Sequence, residues 1–141
     1  MGINEVQEDI IEEFSLFEDW MDKYNYLIDI SKDLPMIDAK HKVKQNLIQG
    51  CQSRVWLNAE LEGDKIVFTA DSDAIITKGL VALLIRVLSN RSPEEILNNE
   101  LYFIDKIGLK ENLSPTRSNG LVSMIKQMKL YALAYQAKSK K

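Results

Sequence analysis

Cys51 carries the most chemistry in this chain, as the only cysteine among 141 residues. A thiolate is a strong nucleophile toward sulfur, and its reactivity follows exposure and nearby positive charge. The surrounding run, Gln49-Gly50-Cys51-Gln52-Ser53-Arg54, is small and polar, unlike the apolar setting of most buried structural cysteines. Gly50 permits a tight turn that would lift the thiol outward. Arg54 is a cation close in sequence, and Arg117 is one that folding can bring close in space. A half-buried cysteine at a strand start is the alternative, and local composition leaves both open.

What one cysteine excludes is more informative. Thiolate metal sites need several cysteines or histidines, and here there is one of each, Cys51 and His41. No metal site is expected, and an iron–sulfur scaffold on one monomer is disfavoured. A Cys–His hydrolase would need His41 as its base. His41 lies among Lys40, Lys42 and Lys44, the composition of a solvated loop. A dithiol oxidoreductase lacks its resolving partner. What remains open to one cysteine is to accept a group and hand it on.

The elements that position Cys51 follow from hydrophobic period. Ile10, Phe14, Phe17 and Met21 form a helical stripe, with Asn4 as a cap for the first turn. Ser15-Leu16-Phe17-Glu18 reads as a capping box starting a second helix, which carries Trp20, Tyr24, Leu27 and Ile28 inward and ends at Leu34-Pro35. The period then changes to two. Val55, Leu57, Ala59 and Leu61, then Ile66, Phe68 and Ala70, flank Glu62-Gly63-Asp64 as a β-hairpin. A lone hairpin is marginal, so a third strand is expected near 43–48. Asp71-Ser72-Asp73 offers caps for a wide-striped helix over Ile75–Leu88. Ser92-Pro93-Glu94-Glu95 starts a short one. Another, around Leu101–Ile107, stops at Gly108. After Ser114-Pro115, the stripe from Leu121 through Met124, Met128, Tyr131 and Tyr135 predicts a long closing helix. Helices, a small antiparallel sheet, then helices make the class α+β, in one domain over 1–141.

Hydrophobic residues make up 45% and charged residues 28%, with a net charge of −3. That is an ordinary globular balance. It lacks the dense basic stripe that phosphate neutralisation requires, so no nucleic-acid partner is expected. No apolar run is long enough to span a bilayer. The acidic start does not read as a secretory leader, so no membrane is expected and the cytoplasm is the expected compartment.

Gln49-Gly50-Cys51-Gln52-Ser53-Arg54-Val55-Trp56 resembles the signature of the SufE family of desulfuration proteins. Asp71-Ser72-Asp73-Ala74, with Ile76 and Lys78-Gly79-Leu80, is similar to the family's second block. Leu113-Ser114-Pro115-Thr116-Arg117-Ser118-Asn119-Gly120-Leu121, with Met124, is similar to its third. The blocks occur in the family's order, and the resemblance runs over roughly 5–137, while His41 and its lysines are peculiar to this chain.

The resemblance implies a curved antiparallel sheet of about three strands backed by several helices, similar to the scaffold protein IscU without its metal-binding cysteines. It implies that the chain is no free-standing enzyme. It would be the sulfur acceptor and activator of a SufS-type cysteine desulfurase, taking persulfide sulfur on Cys51 and passing it to an iron–sulfur scaffold. Pyridoxal phosphate would belong to the desulfurase, and this chain would carry no cofactor. A relay serving a different, CsdA-like desulfurase and a non-catalytic docking module are the alternatives. A homodimer is open from the family.

Supporting residues follow with two readings each. Gln52 and Ser53 would stabilise a thiolate or persulfide, or merely shape a turn. Arg117 would be a cation near Cys51 or a docking contact, or else a salt bridge to Asp71 or Asp73. Asp73 would cap its helix or position the cysteine loop. Gly79 and Gly120 suggest close approaches of helix to sheet. Trp56 would pack against a helix. The loop itself would be tucked against apolar groups at rest and swing out on docking.

Overall fold

Two strands carry the alternation that the sequence announces. In this computed structural model, which describes residues 2–139, β1 (Val55–Glu62) pairs antiparallel with β2 (Lys65–Ser72), from Val55 opposite Ser72 to Glu62 opposite Lys65. Gly63 makes the turn at φ 65°, the positive value that tight hairpins need. Val55, Leu57 and Ala59 face the core with Ile66, Phe68 and Ala70, and all six are buried. Met1, Lys140 and Lys141 lie outside the described residues.

The third strand expected near 43–48 does not form as a ladder. Lys44–Asn46 is a 3-10 turn, and Leu47 makes one bridge to Trp56. The Ile48 N–H donates to the Val55 carbonyl at 2.9 Å before the chain turns away at Gly50. Single bridges from Met36 and Arg91 cover the β2 edge in the same way. The hairpin edges are thus blunted by short contacts rather than extended by a strand.

Seven helices surround the hairpin among the described residues. α1 (Ile3–Ser15) buries Ile3, Val6, Ile10 and Phe14 at helical spacing. Its cap is Gly2, not Asn4; Asn4 lies inside the first turn, where its Oδ1 accepts from Gln7. The stripe ends at Phe17, and Met21 is exposed. Ser15–Glu18 forms no capping box. α2 (Trp20–Ser31) starts at Asp19, whose carboxylate accepts from the Asp22 N–H at 2.9 Å. Asp19 wins because a carboxylate three residues ahead of a free N–H satisfies it directly. Leu27 of this helix is fully buried, while Trp20, Tyr24 and Ile28 are partly so.

α3 (Ile75–Leu88) is buried along most of its length. Asp71 and Ser72 still belong to β2, and Asp73 is not its side-chain cap. α4 (Pro93–Asn98) starts as its sequence announces, with Ser92 and Glu95 bonding each other's backbone N–H at 3.2 Å. α5 (Phe103–Lys106) and α6 (Leu109–Asn112) flank Gly108, which holds φ 75°. α7 (Pro115–Ser139) closes the molecule across β1. Leu121, Met124, Met128 and Ala132 seal the core. The Tyr135 hydroxyl donates to the Ala59 carbonyl at 2.8 Å.

Gly79 marks a close approach, but of helix to helix rather than helix to sheet. A Cβ there would lie 2.3 Å from the Leu27 carbonyl oxygen of α2. Gly79→Ala is therefore expected to force α2 and α3 apart and lower stability by about 1–3 kcal/mol, read as a drop in urea midpoint. An unchanged midpoint would contradict this packing.

Candidate functional site

The cysteine loop, residues 49–54, is clipped at both ends, and residues 49–53 between the clips make no backbone–backbone hydrogen bond among the described residues. At one end Ile48 bonds to Val55. At the other, the Asp73 carboxylate accepts from the Arg54 N–H at 3.1 Å, and the Asp73 N–H returns a bond to the Arg54 carbonyl at 3.2 Å. The Ser72 hydroxyl donates to that same carbonyl at 2.8 Å. Asp73 thus anchors the loop rather than capping α3. Arg54 takes part through its backbone; its exposed side chain does not line the cleft at Cys51.

Between the clips the loop leans on α7. Gly50 sits at φ 88°, and a Cβ there would meet Ser123 Oγ at 2.6 Å. Both facts demand glycine. Gly120 of α7 is the second bare position. Its carbonyl accepts from the Cys51 thiol at 3.6 Å, and a Cβ on residue 120 would stand 3.4 Å from Sγ. The close approach at Gly120 is thus of helix to loop, not helix to sheet.

Cys51 is half-buried against the edge of the core. Burial pushes its thiol up from the ordinary value, because desolvation disfavours the thiolate. The resting group is a neutral thiol at neutral pH. It opens on a cleft of about 360 Å³ that Gln52, Ser53, Arg117 and Gly120 also line. Among the described residues, no carboxylate lines that cleft.

Arg117 stands exposed at the cleft and makes no salt bridge with Asp71 or Asp73. Asp71 is taken by Lys42 at 2.9 Å and Lys78 at 3.4 Å. Burial works to raise the Asp71 carboxyl, but the Lys42 bond, the Ser72 N–H and the two ammonium charges hold it below the ordinary value. Lys42 also lies 4.5 Å over the Trp56 ring, a cation–π contact. His41 is remote from Cys51, with Nε2 3.3 Å from Glu60.

Sequence reasoning missed three cleft residues, Thr77, Ser114 and Thr116. Thr77 is the instructive one. It is buried, yet its side chain makes no hydrogen bond among the described residues, which leaves its hydroxyl available to the cleft. A lone polar residue inside the apolar stripe of α3 was the available signal.

A family model described as SufE, an Fe-S metabolism associated domain, matches residues 8–132. This chain belongs to the SufE family. An uncharacterised SufE-like protein of Rhizobium etli is 40% identical over 127 residues, with 86% of each chain covered. A SufE-like protein of Synechocystis is 39% identical, covering 90% of this chain and 80% of its own. The chloroplastic/mitochondrial SufE-like protein 1 of Arabidopsis thaliana is 38% identical over 93% of this chain, which spans 36% of that longer protein. The solution structure of a hypothetical protein from Thermus thermophilus shares the fold, with TM-score 0.77 over 94% of this chain and 96% of its own at 21% identity. SufE membership places the chain in iron–sulfur metabolism, as a sulfur-transfer partner of a cysteine desulfurase rather than a free-standing enzyme. Among the described residues, no cluster of three His, Cys, Asp or Glu side chains is placed to hold a metal ion, and no helix is long and apolar enough to cross a membrane.

Two outcomes follow for the thiol. Alkylation of Cys51 by iodoacetamide is expected to be slow at pH 7 and to rise with a midpoint above the ordinary thiol value of about 8.5. A midpoint at or below that value would mean that the loop does not shelter it. Asp73→Ala removes the acceptor for the Arg54 N–H, and alkylation is expected to accelerate several-fold; an unchanged rate would show that the clip does not hold the loop.

Proposed function

We propose that Cys51 accepts the terminal sulfur of a persulfide carried by a SufS-type, pyridoxal-phosphate-dependent cysteine desulfurase and passes it on for iron–sulfur cluster assembly. The observation that carries this reading is the half-buried Cys51 thiol opening on a cleft with Arg117 and no carboxylate. The chemistry needs only an exchange. The Cys51 sulfur attacks the outer sulfur of the donor persulfide, the donor's S–S bond breaks, and a new S–S bond forms on Cys51. The donor leaves as a thiol carrying the proton that Cys51 gives up. No net oxidation occurs, and this chain supplies no cofactor; pyridoxal phosphate rests with the donor.

The residues divide the work in this reading. Burial keeps the idle thiol neutral and poorly reactive toward stray oxidants. Gly50 and the middle of the loop let the sulfur move out when the donor docks, while the Arg54–Asp73 clip keeps the loop's end in register. Arg117 meets the anionic persulfide of the incoming donor. Gln52, Ser53 and Thr77 offer hydrogen bonds to the sulfur once it has been transferred, which stabilises the persulfide anion relative to a bare apolar pocket.

Incubation with a cysteine desulfurase, pyridoxal phosphate and cysteine is expected to add one sulfur atom to the intact mass. Cys51→Ser should add none and should fail to stimulate the desulfurase. Full stimulation by Cys51→Ser would overturn the assignment. Arg117→Ala is expected to fold normally and to load several-fold more slowly; equal loading would remove Arg117 from the donor contact.

A further inference from the structure

α7 is apolar on two sides, and only one of them meets the core. Leu121, Met124, Met128 and Ala132 are almost completely buried. On the other side Val122, Leu130 and Leu133 stay 49%, 48% and 52% exposed. With Leu97 of α4 they form a groove of about 490 Å³. Positions 122, 126, 129, 130 and 133 share one helical stripe, so the groove runs along about three turns of helix.

Its charge is one-sided. Lys110, Lys126 and Lys129 line it and no carboxylate does, in a chain whose net charge is −3. None of these three ammonium groups is paired with a carboxylate among the described residues. Cys51 leans on Gly120 and Met124, about half a turn round α7 from this stripe. The groove is therefore a surface separate from the cysteine cleft.

We propose that this groove docks an acidic amphipathic helix of a partner protein. Its apolar floor takes side chains spaced i, i+4, i+7, and its lysines take the flanking carboxylates. A second copy joined by a two-fold axis would set lysines against lysines, which repel. Because the groove and Cys51 lie on opposite sides of α7, a partner held here leaves the cleft open. A sulfur donor and a second protein can then engage the chain together.

The test uses the full chain and two fluorescein-labelled synthetic helices. One carries leucines at i, i+4 and i+7 with glutamates beside them, and the other has lysines in place of the glutamates. By anisotropy the glutamate helix should bind at least about tenfold more tightly than the lysine helix. Binding should weaken with salt. Lys126→Glu with Lys129→Glu should reverse the preference, and Leu130→Asp should abolish binding with the thermal midpoint unchanged. If the double charge reversal does not fold, Lys126→Gln with Lys129→Gln should erase the preference. Cys51→Ser should bind as the unsubstituted chain does, which separates this result from the fate of the sulfur-transfer reading. Equal binding of both helices, binding of neither, or binding indifferent to the α7 variants overturns the proposal. So does a dimer in sedimentation that Leu130→Asp dissolves, or capture by anionic vesicles without any preference between the helices.

Discussion

The Cys51 thiol lies against the backbone of α7 at Gly120, where an added Cβ would stand 3.4 Å from Sγ. That contact sets the character of Cys51. It places Sγ on the Gly120 carbonyl and half out of water, so the thiolate is disfavoured at rest. The same face of α7 demands a second bare position, since Gly50 passes Ser123 with no room for a Cβ. Loop and helix meet at two glycines, and the thiol is sheltered without being sealed in.

Around that contact the fold divides into a packed core and a loop tied to it. The hairpin, α3 and the inner stripe of α7 form one packed core, and the loop is tied to it at Val55 and Asp73. Between those ties Gly50 lies against Ser123 of α7 and the Cys51 thiol against Gly120. Asp73 serves here rather than at the start of α3 because a carboxylate one residue past β2 faces the Arg54 N–H across the strand end. Neighbouring Asp71 is already engaged by two lysines. Arg117, which makes no salt bridge among the described residues, lines the cleft.

α7 joins the two surfaces of interest. Its inner stripe closes the core, one edge bears the cysteine loop, and its outer stripe carries exposed apolar residues among lysines. A helix with a single apolar stripe would be explained by burial alone. The second stripe is about half exposed, and its lysines, unpaired with carboxylates among the described residues, supply a criterion for what belongs on it.

The amino-acid sequence by itself determined the α+β class, the hairpin and all its inward residues but Leu61, which is exposed near the turn, the long closing helix, and Cys51 as the candidate nucleophile. These follow from local period, caps and turn chemistry, which act over a few residues. Its three signature blocks also carried the family. Tertiary structure alone decided the rest. It withheld the third strand, because Leu47 meets β1 at one bridge and then turns. It gave Asp73 to the loop, Gly79 to a helix crossing and Thr77 to the cleft. Each of these depends on a neighbour distant along the chain, and a periodic pattern records which side of an element is apolar but not which element will cover it.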